Sequence, residues 1–201
     1  MAHVLVPTAR WGRWVDNFAA RHGTATVSVS DGGLSGEAVD GSTFLAQLPF
    51  ANSYDGPPEA GAFAEAAVPP ERWGVLLVRK GGFAVARLEG PRMVEHKIGQ
   101  RHVQGRSKAG GQSQQRFARR RDNQARQAYE AAADHAARLL GGVRLLVTGG
   151  DHAAVDAVLE DPRLSSATVV GPWLPVPDPR RAVLDQAIAD AQAIGVEVTN
   201  A

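Results

Sequence analysis

Cysteine is absent from the 201 residues. Its absence excludes disulfide frameworks, thiolate metal sites and a cysteine nucleophile, and it fits a reducing cytosol. Long apolar runs are missing too, since nothing approaches the roughly 20 residues that a bilayer-spanning helix needs. The N-terminal stretch carries only a short apolar run before Arg10 and Arg13, unlike a secretory signal. A soluble cytoplasmic protein is therefore expected. The six histidines (His3, His22, His96, His102, His135 and His152) form no HxxxH or HExxH pair, so a metal centre has little support. There is no Gly-x-Ser-x-Gly elbow of a serine hydrolase, and the acids near the basic tract, Glu95 and Asp122, are too few for a two-metal nuclease; nothing in the spacing asks Asp31, Asp151 and Asp156 to come together. Gly81-Gly82 and Gly149-Gly150 lack the spacing and the Lys-Ser/Thr of a P-loop, and turn glycines are the expectation for both. No cofactor is implied.

One further scarcity is local. Residues 97–126 hold nine cations (Lys97, Arg101, Arg106, Lys108, Arg116, Arg119, Arg120, Arg121 and Arg126) and a single acid, Asp122. The net charge there is +8, so in a chain of total charge +1 the remainder must sum to −7. A merely solvated helix face would interleave acids at i+4 spacing. Segregated positive charge points instead to a polyanion, with nucleic acid the leading partner. His96 and His102 flank the tract. A phosphate contact is open to either, although an ordinary exposed or core histidine is the plainer reading.

At the centre of the tract stands Gly110-Gly111-Gln112-Ser113, followed by Arg116-Phe117-Ala118-Arg119. This loop and helix start resemble the catalytic loop of the archaeal and eukaryotic class-1 peptide-chain release factors. The nearest likeness is to the bacterial branch of Vms-like release factors, which rescue stalled ribosomes without reading a codon. The resemblance is specific over 73–137, looser beyond, and at the N-terminus rests on that bacterial branch. It implies a peptidyl-tRNA hydrolase in which Gly110, Gly111 and Gln112 form the catalytic loop. Arg101, Arg106, Lys108, Arg116, Arg119, Arg120 and Arg121 would pair with RNA phosphates. The implied partners are large-subunit ribosomal RNA and peptidyl-tRNA, with no membrane and no metal. A factor that enters a ribosomal cavity is expected to be a monomer.

Two departures from the parent family bear on the activity. The chain has room for neither a decoding domain nor a C-terminal partner-binding domain, and its first 70 residues show no decoding motif. Codon-independent release therefore suits it better than stop-codon termination. The alternatives are a tRNA-directed ribonuclease acting near the 3′ end, and a non-catalytic ribosome- or RNA-binding module whose Gly-Gly-Gln is only a turn.

The length suits one well-cored domain with a small appendage. Residues 8–22 place Trp11, Trp14, Val15 and Phe18 on one helical face, with Thr8 as N-cap and Gly23 as stop. Packing is the expected use of the two tryptophans, ahead of base stacking. Residues 24–30 alternate as a strand, Asp31-Gly32-Gly33 turns, and 41–48 offers another strand. Residues 52–61, with Gly56-Pro57-Pro58, suit a linker, and a boundary is expected near 70.

Beyond it, 73–78, 83–88 and 93–98 form a meander, and 113–140 a single helix with the stripe Phe117, Ala125, Ala128, Ala132, Ala136 and Leu139. Residues 144–148 make a strand, Asp151 caps a helix over 153–160, and strand, proline-rich connection, helix 180–194 and strand 196–198 complete the chain. The expected class is α/β (α+β): a mixed sheet with helices on its faces, resembling the central, RNase H-like domain of the release factors. Residues 1–70 would be an N-terminal αβ extension and linker, and 71–201 the catalytic domain.

Overall fold

Alternating strands in one part of the chain and a continuous apolar strand in another build two separate sheets. The computed structural model describes residues 1–100 and 112–201, with backbone alone for 100 and 112–125. The chain divides into two units. The first is Met1–Pro70 with Val170–Pro172 and Ile188–Ala201, and the second is Glu71–Val169 with Trp173–Ala187.

In the first unit, β1 (Ala2–Val6), β2 (Ala25–Ser30), β3 (Gly33–Ala38), β4 (Thr43–Gln47) and β10 (Ile194–Thr199) form an antiparallel sheet in the order β1-β10-β4-β3-β2. Asp31 and Gly32 both take positive φ (50° and 69°), a type I′ turn that matches the strand twist and closes the β2–β3 hairpin. The helix α1 (Trp11–His22) ends where Gly23 turns to φ 90° and its N–H donates to Ala19 O. Thr8 does not cap it: Thr8–Arg10 is a 3-10 turn, and the Thr8 hydroxyl donates instead to Gln192 O at 3.5 Å. Trp11 is fully buried, stacked on Trp14 with centroids 5.4 Å apart and set edge-on to Phe44 at 5.9 Å.

Two corrections concern this unit. Residues 52–61 are not a bare linker. Tyr54 is buried, its N–H donates to Gly32 O and its hydroxyl to Pro57 O, both at 2.7 Å, and its ring meets Phe63 of the short helix α2 (Ala60–Ala66) edge-on. Burial of an aromatic outweighs the irregularity of Gly-Pro-Pro, since removing such a ring from water is worth about 1.5–3 kcal/mol. Nor does everything after residue 70 fall in one unit. β10 lies between β1 and β4, because alternation specifies which side chains a strand buries and leaves its neighbours open.

The second unit carries β5 (Arg72–Arg79), β6 (Gly82–Glu89), β7 (Arg92–Gln100), β8 (Leu145–Gly150) and β9 (Thr168–Leu174), ordered β7-β6-β5-β8-β9. β5 runs parallel to β8 and antiparallel to β6, so the sheet is mixed. Central β5 is buried from Trp73 to Val78, which is why its apolar run is unbroken. The helix α3 (Gln112–Leu140) packs on β6, β5 and β7 through Ala132, Ala133, Ala136, Leu139 and Leu140, small residues that let it lie close. Beside it, α4 (His152–Leu159) is capped by Asp151, whose carboxylate accepts from Ala153 N at 3.1 Å. Gly149 and Gly150 are the last residues of β8 rather than a turn. The class is mixed α/β, with helices packed on a mixed sheet. A fifth helix, α5 (Arg181–Ala191), precedes β10. No helix among the described residues is long and apolar enough to cross a membrane.

Candidate nucleic-acid interface

Strand β7, at one edge of its sheet, ends at Gln100, and α3 begins at Gln112. Arg101, Arg106, Lys108, Gly110 and Gly111 fall between them and lie outside the described residues, as does His102. Gln112 is the first residue of α3, and Arg116, Arg119, Arg120 and Arg121 follow on its first turns. The side chains of these five lie outside the described residues. At 29 residues the helix is about 44 Å long, from a rise of about 1.5 Å per residue.

What holds the two flanks is described in full. Register pairs Phe83 with Gly99 and Gly82 with Gln100. A Cβ at Gly99 would collide with the Phe83 ring, and that ring in turn stacks on His135 of α3 with centroids 5.5 Å apart. Glu95 on β7 lies 3.8 Å from Arg87 of β6 and 3.9 Å from Arg138 of α3, a second tie across the same elements. On β7 too, His96 approaches Arg181 at 3.4 Å, a guanidinium that also holds Asp185 at 2.9 Å.

Charge separates by unit. The first unit holds three Lys or Arg against nine Asp or Glu, net −6, so the second carries the remaining +7 of the chain's +1. Beside the C-terminal half of α3, Arg163 reaches Asp134 and Asp161 at 2.6 Å each. The Arg163 hydrogen bonds draw the Asp161 carboxyl down to about 2. Tyr129 is pushed up by burial and then by the Asp151 carboxylate. A groove of about 900 Å³ runs here, lined by Lys80, Arg126, Tyr129, Asp134, Asp161 and Arg163 among others. Lys80 and Arg126 form no ion pair among the described residues. Lys80 carries no sequence signal, since 46 residues separate it from Arg126 and only the β5–β6 turn brings it to the Gln100 end of the sheet.

Two of the histidines have side-chain partners here: His22 bonds Asp40 at 2.9 Å and His152 stacks on Trp173 at 3.6 Å. Among the described residues no group of three or more His, Asp or Glu stands ready for a metal ion.

Residues 71–197 match the family described as acVLRF1, the Actinobacteria/chloroflexi VLRF1 release factor. The chain belongs to this release-factor family. The match takes in the second unit and runs through most of β10. No curated protein sequence matches the chain. Among solved structures, it is similar to the archaeal translation termination factor aRF1, at 12% identity and a TM-score of 0.44, covering 94% of this chain and 64% of that one. The chain thus spans just under two thirds of that factor's length. A second likeness, to the structure described as the Vms1 mitochondrial localization core, has 11% identity and a TM-score of 0.42 and covers 92% of this chain and 81% of the other.

Proposed function

We propose that this release-factor family member is a codon-independent peptidyl-tRNA hydrolase that frees nascent chains from stalled, split large ribosomal subunits. The observation that carries the reading is Gly110-Gly111-Gln112 at the junction of edge strand β7 and the 29-residue α3, in a tract of net charge +8 inside the matched segment. The glutamine amide does not titrate, so it is no general base. It orients water, while its backbone N–H donates to the developing oxyanion. Gly110 and Gly111 let the main chain come close to a crowded ester. Orientation and oxyanion stabilisation are each worth several kcal/mol, on the order of what ester hydrolysis asks of a site without metal.

The ester is the bond between the nascent peptide and the tRNA 3′ end, with ribosomal RNA and the terminal ribose hydroxyl supplying the remaining groups. Arg101, Arg106, Lys108, Arg116, Arg119, Arg120 and Arg121 pair with RNA phosphates, and the helix N-terminus favours anions as well. The protein acts as a cytoplasmic monomer, without cofactor. One assay tests this: stalled large subunits with labelled peptidyl-tRNA are given wild type or Gln112→Ala. Free peptide with intact tRNA from wild type, and little from the variant, is the expected result. Shortened tRNA marks a ribonuclease, binding with neither product marks a non-catalytic module, and release by Gln112→Ala at the wild-type rate removes the glutamine from the chemistry.

A further inference from the structure

Sheet edges expose unpaired N–H and C=O groups, and proteins blunt them with charge, proline or bulges. Among the described residues two of the sheet edges, β7 and β9, are treated in that way, and a third, β1, is short. β7 carries Arg92, Glu95, His96 and Lys97 and faces a register shift at Arg87/Leu88, β9 contains Pro172, and β1 has five residues with His3 among them. β2 is different. Its six residues, Ala-Thr-Val-Ser-Val-Ser, hold no charge and no proline, and its register with β3 is unbroken from Ala25↔Ala38 to Ser30↔Gly33.

Which groups face outward follows from one bond. Val39 N donates to Thr24 O at 3.2 Å, which sets Thr24 and Val39 at a hydrogen-bonded position of the hairpin ladder. Antiparallel pairs alternate between bonded and non-bonded. Thr26, Ser28 and Ser30 therefore bond to β3, while Ala25, Val27 and Val29 present their N–H and C=O to the open edge. Apolar surface on this strand is uncovered as well: Val29 is 36% exposed.

The occupant is selected by charge. A unit of net −6 disfavours a second copy of itself, and disfavours nucleic acid as well. Asp31 in the hairpin turn and Glu37, exposed on β3 opposite Thr26, put carboxylates on the same hairpin, while Asp40 beyond β3 is held by His22. We propose that β2 accepts an extended, basic segment of another protein as an added strand, its backbone bonding Ala25, Val27 and Val29 and its lysines or arginines facing Asp31 and Glu37. Backbone bonds then give the affinity and alternate side chains the selectivity. This inference is independent of the hydrolase reading.

The test uses the full chain and three capped peptides: KVKVKVK, its acidic counterpart EVEVEVE, and KVKVKVK N-methylated at alternate residues. Amide exchange followed by NMR should show Ala25, Val27 and Val29 protected about tenfold or more by the basic peptide alone, the size expected when exposed edge amides join a ladder. Val27→Pro removes one outward N–H without touching a β3 bond and should abolish the effect. Should that variant fail to fold, the exposed Glu37→Lys should weaken the basic peptide and improve the acidic one. Equal response to both charges, unaltered exchange, or undiminished binding of the N-methylated peptide would overturn the proposal. So would protection of the three amides by self-association in sedimentation, which would make the occupant a second copy.

Discussion

The ring of Phe83 covers Gly99 on the neighbouring strand, leaving no room for a side chain there. Because His135 of α3 stacks on the same ring, β6, β7 and α3 are tied together one residue before β7 ends. The two flanks of the Gly-Gly-Gln segment thus share this anchor, beside the Glu95 tie to Arg87 and Arg138.

Gly99→Ala is expected to force Phe83 or the end of β7 aside, at a cost of about 1–3 kcal/mol typical of overpacking. Urea unfolding measures that loss. Peptide release, assayed where the variant is still fully folded, should fall as well, and Phe83→Leu in the same chain should recover part of both. Strictly additive effects of the two substitutions would mean that ring and glycine are not coupled.

Ribosome binding is expected to weaken steeply with salt. Each arginine removed from a phosphate contact lowers the log–log slope by roughly 0.7–0.9. Changing Arg119, Arg120 and Arg121 together to Ala should flatten the slope by about 2, measured by sedimentation with large subunits across a salt series. An unaltered slope would take all three out of the contact.

Acid should erase one local contribution to stability. Asp161 is held near 2 rather than its ordinary 3.8 by hydrogen bonds from Arg163. A depressed carboxyl stabilises the folded state above its unfolded value and loses that stabilisation as pH falls through the folded one. The gap in urea midpoint between wild type and Arg163→Ala should be full at pH 6 and close as pH falls from about 4 towards about 2. A gap that is constant over this range would place the Arg163 contribution elsewhere.

Trp11→Ala should cost about 3–5 kcal/mol, as loss of a buried aromatic does. Trp14 stacks on both Trp11 and Phe18 and meets Phe44 edge-on, so its ring is engaged in packing rather than awaiting a base. Trp14→Leu is accordingly expected to lower stability while leaving the affinity of folded molecules for large subunits unchanged. A selective loss of affinity would restore a stacking role.

Much of the architecture was legible from pattern alone. The apolar run through Val75, Leu76 and Leu77 marks a strand buried on both faces, and Asp31-Gly32 marks a hairpin whose turn needs positive φ twice. The stripe Ala132, Ala136, Leu139 marks the packing side of α3. Readings failed where a distant partner decided the outcome. Thr8 bonds Gln192 instead of capping a helix, and Tyr54 draws a Gly-Pro-Pro stretch into a core that its composition argues against.

Residue identity by itself determined the chemistry on offer: a neutral amide next to two glycines and a run of arginines, without a thiol. Those are properties of side chains and of their local order, and no fold alters them. Only tertiary structure decided which elements stand together. β10 enters the first sheet, Lys80 and Arg126 line one groove, and Phe83 bridges the strand and helix that flank the Gly-Gly-Gln segment. Hydrophobic periodicity declares which face is buried, whereas the neighbour that buries it is selected by long-range packing, which no local spacing encodes.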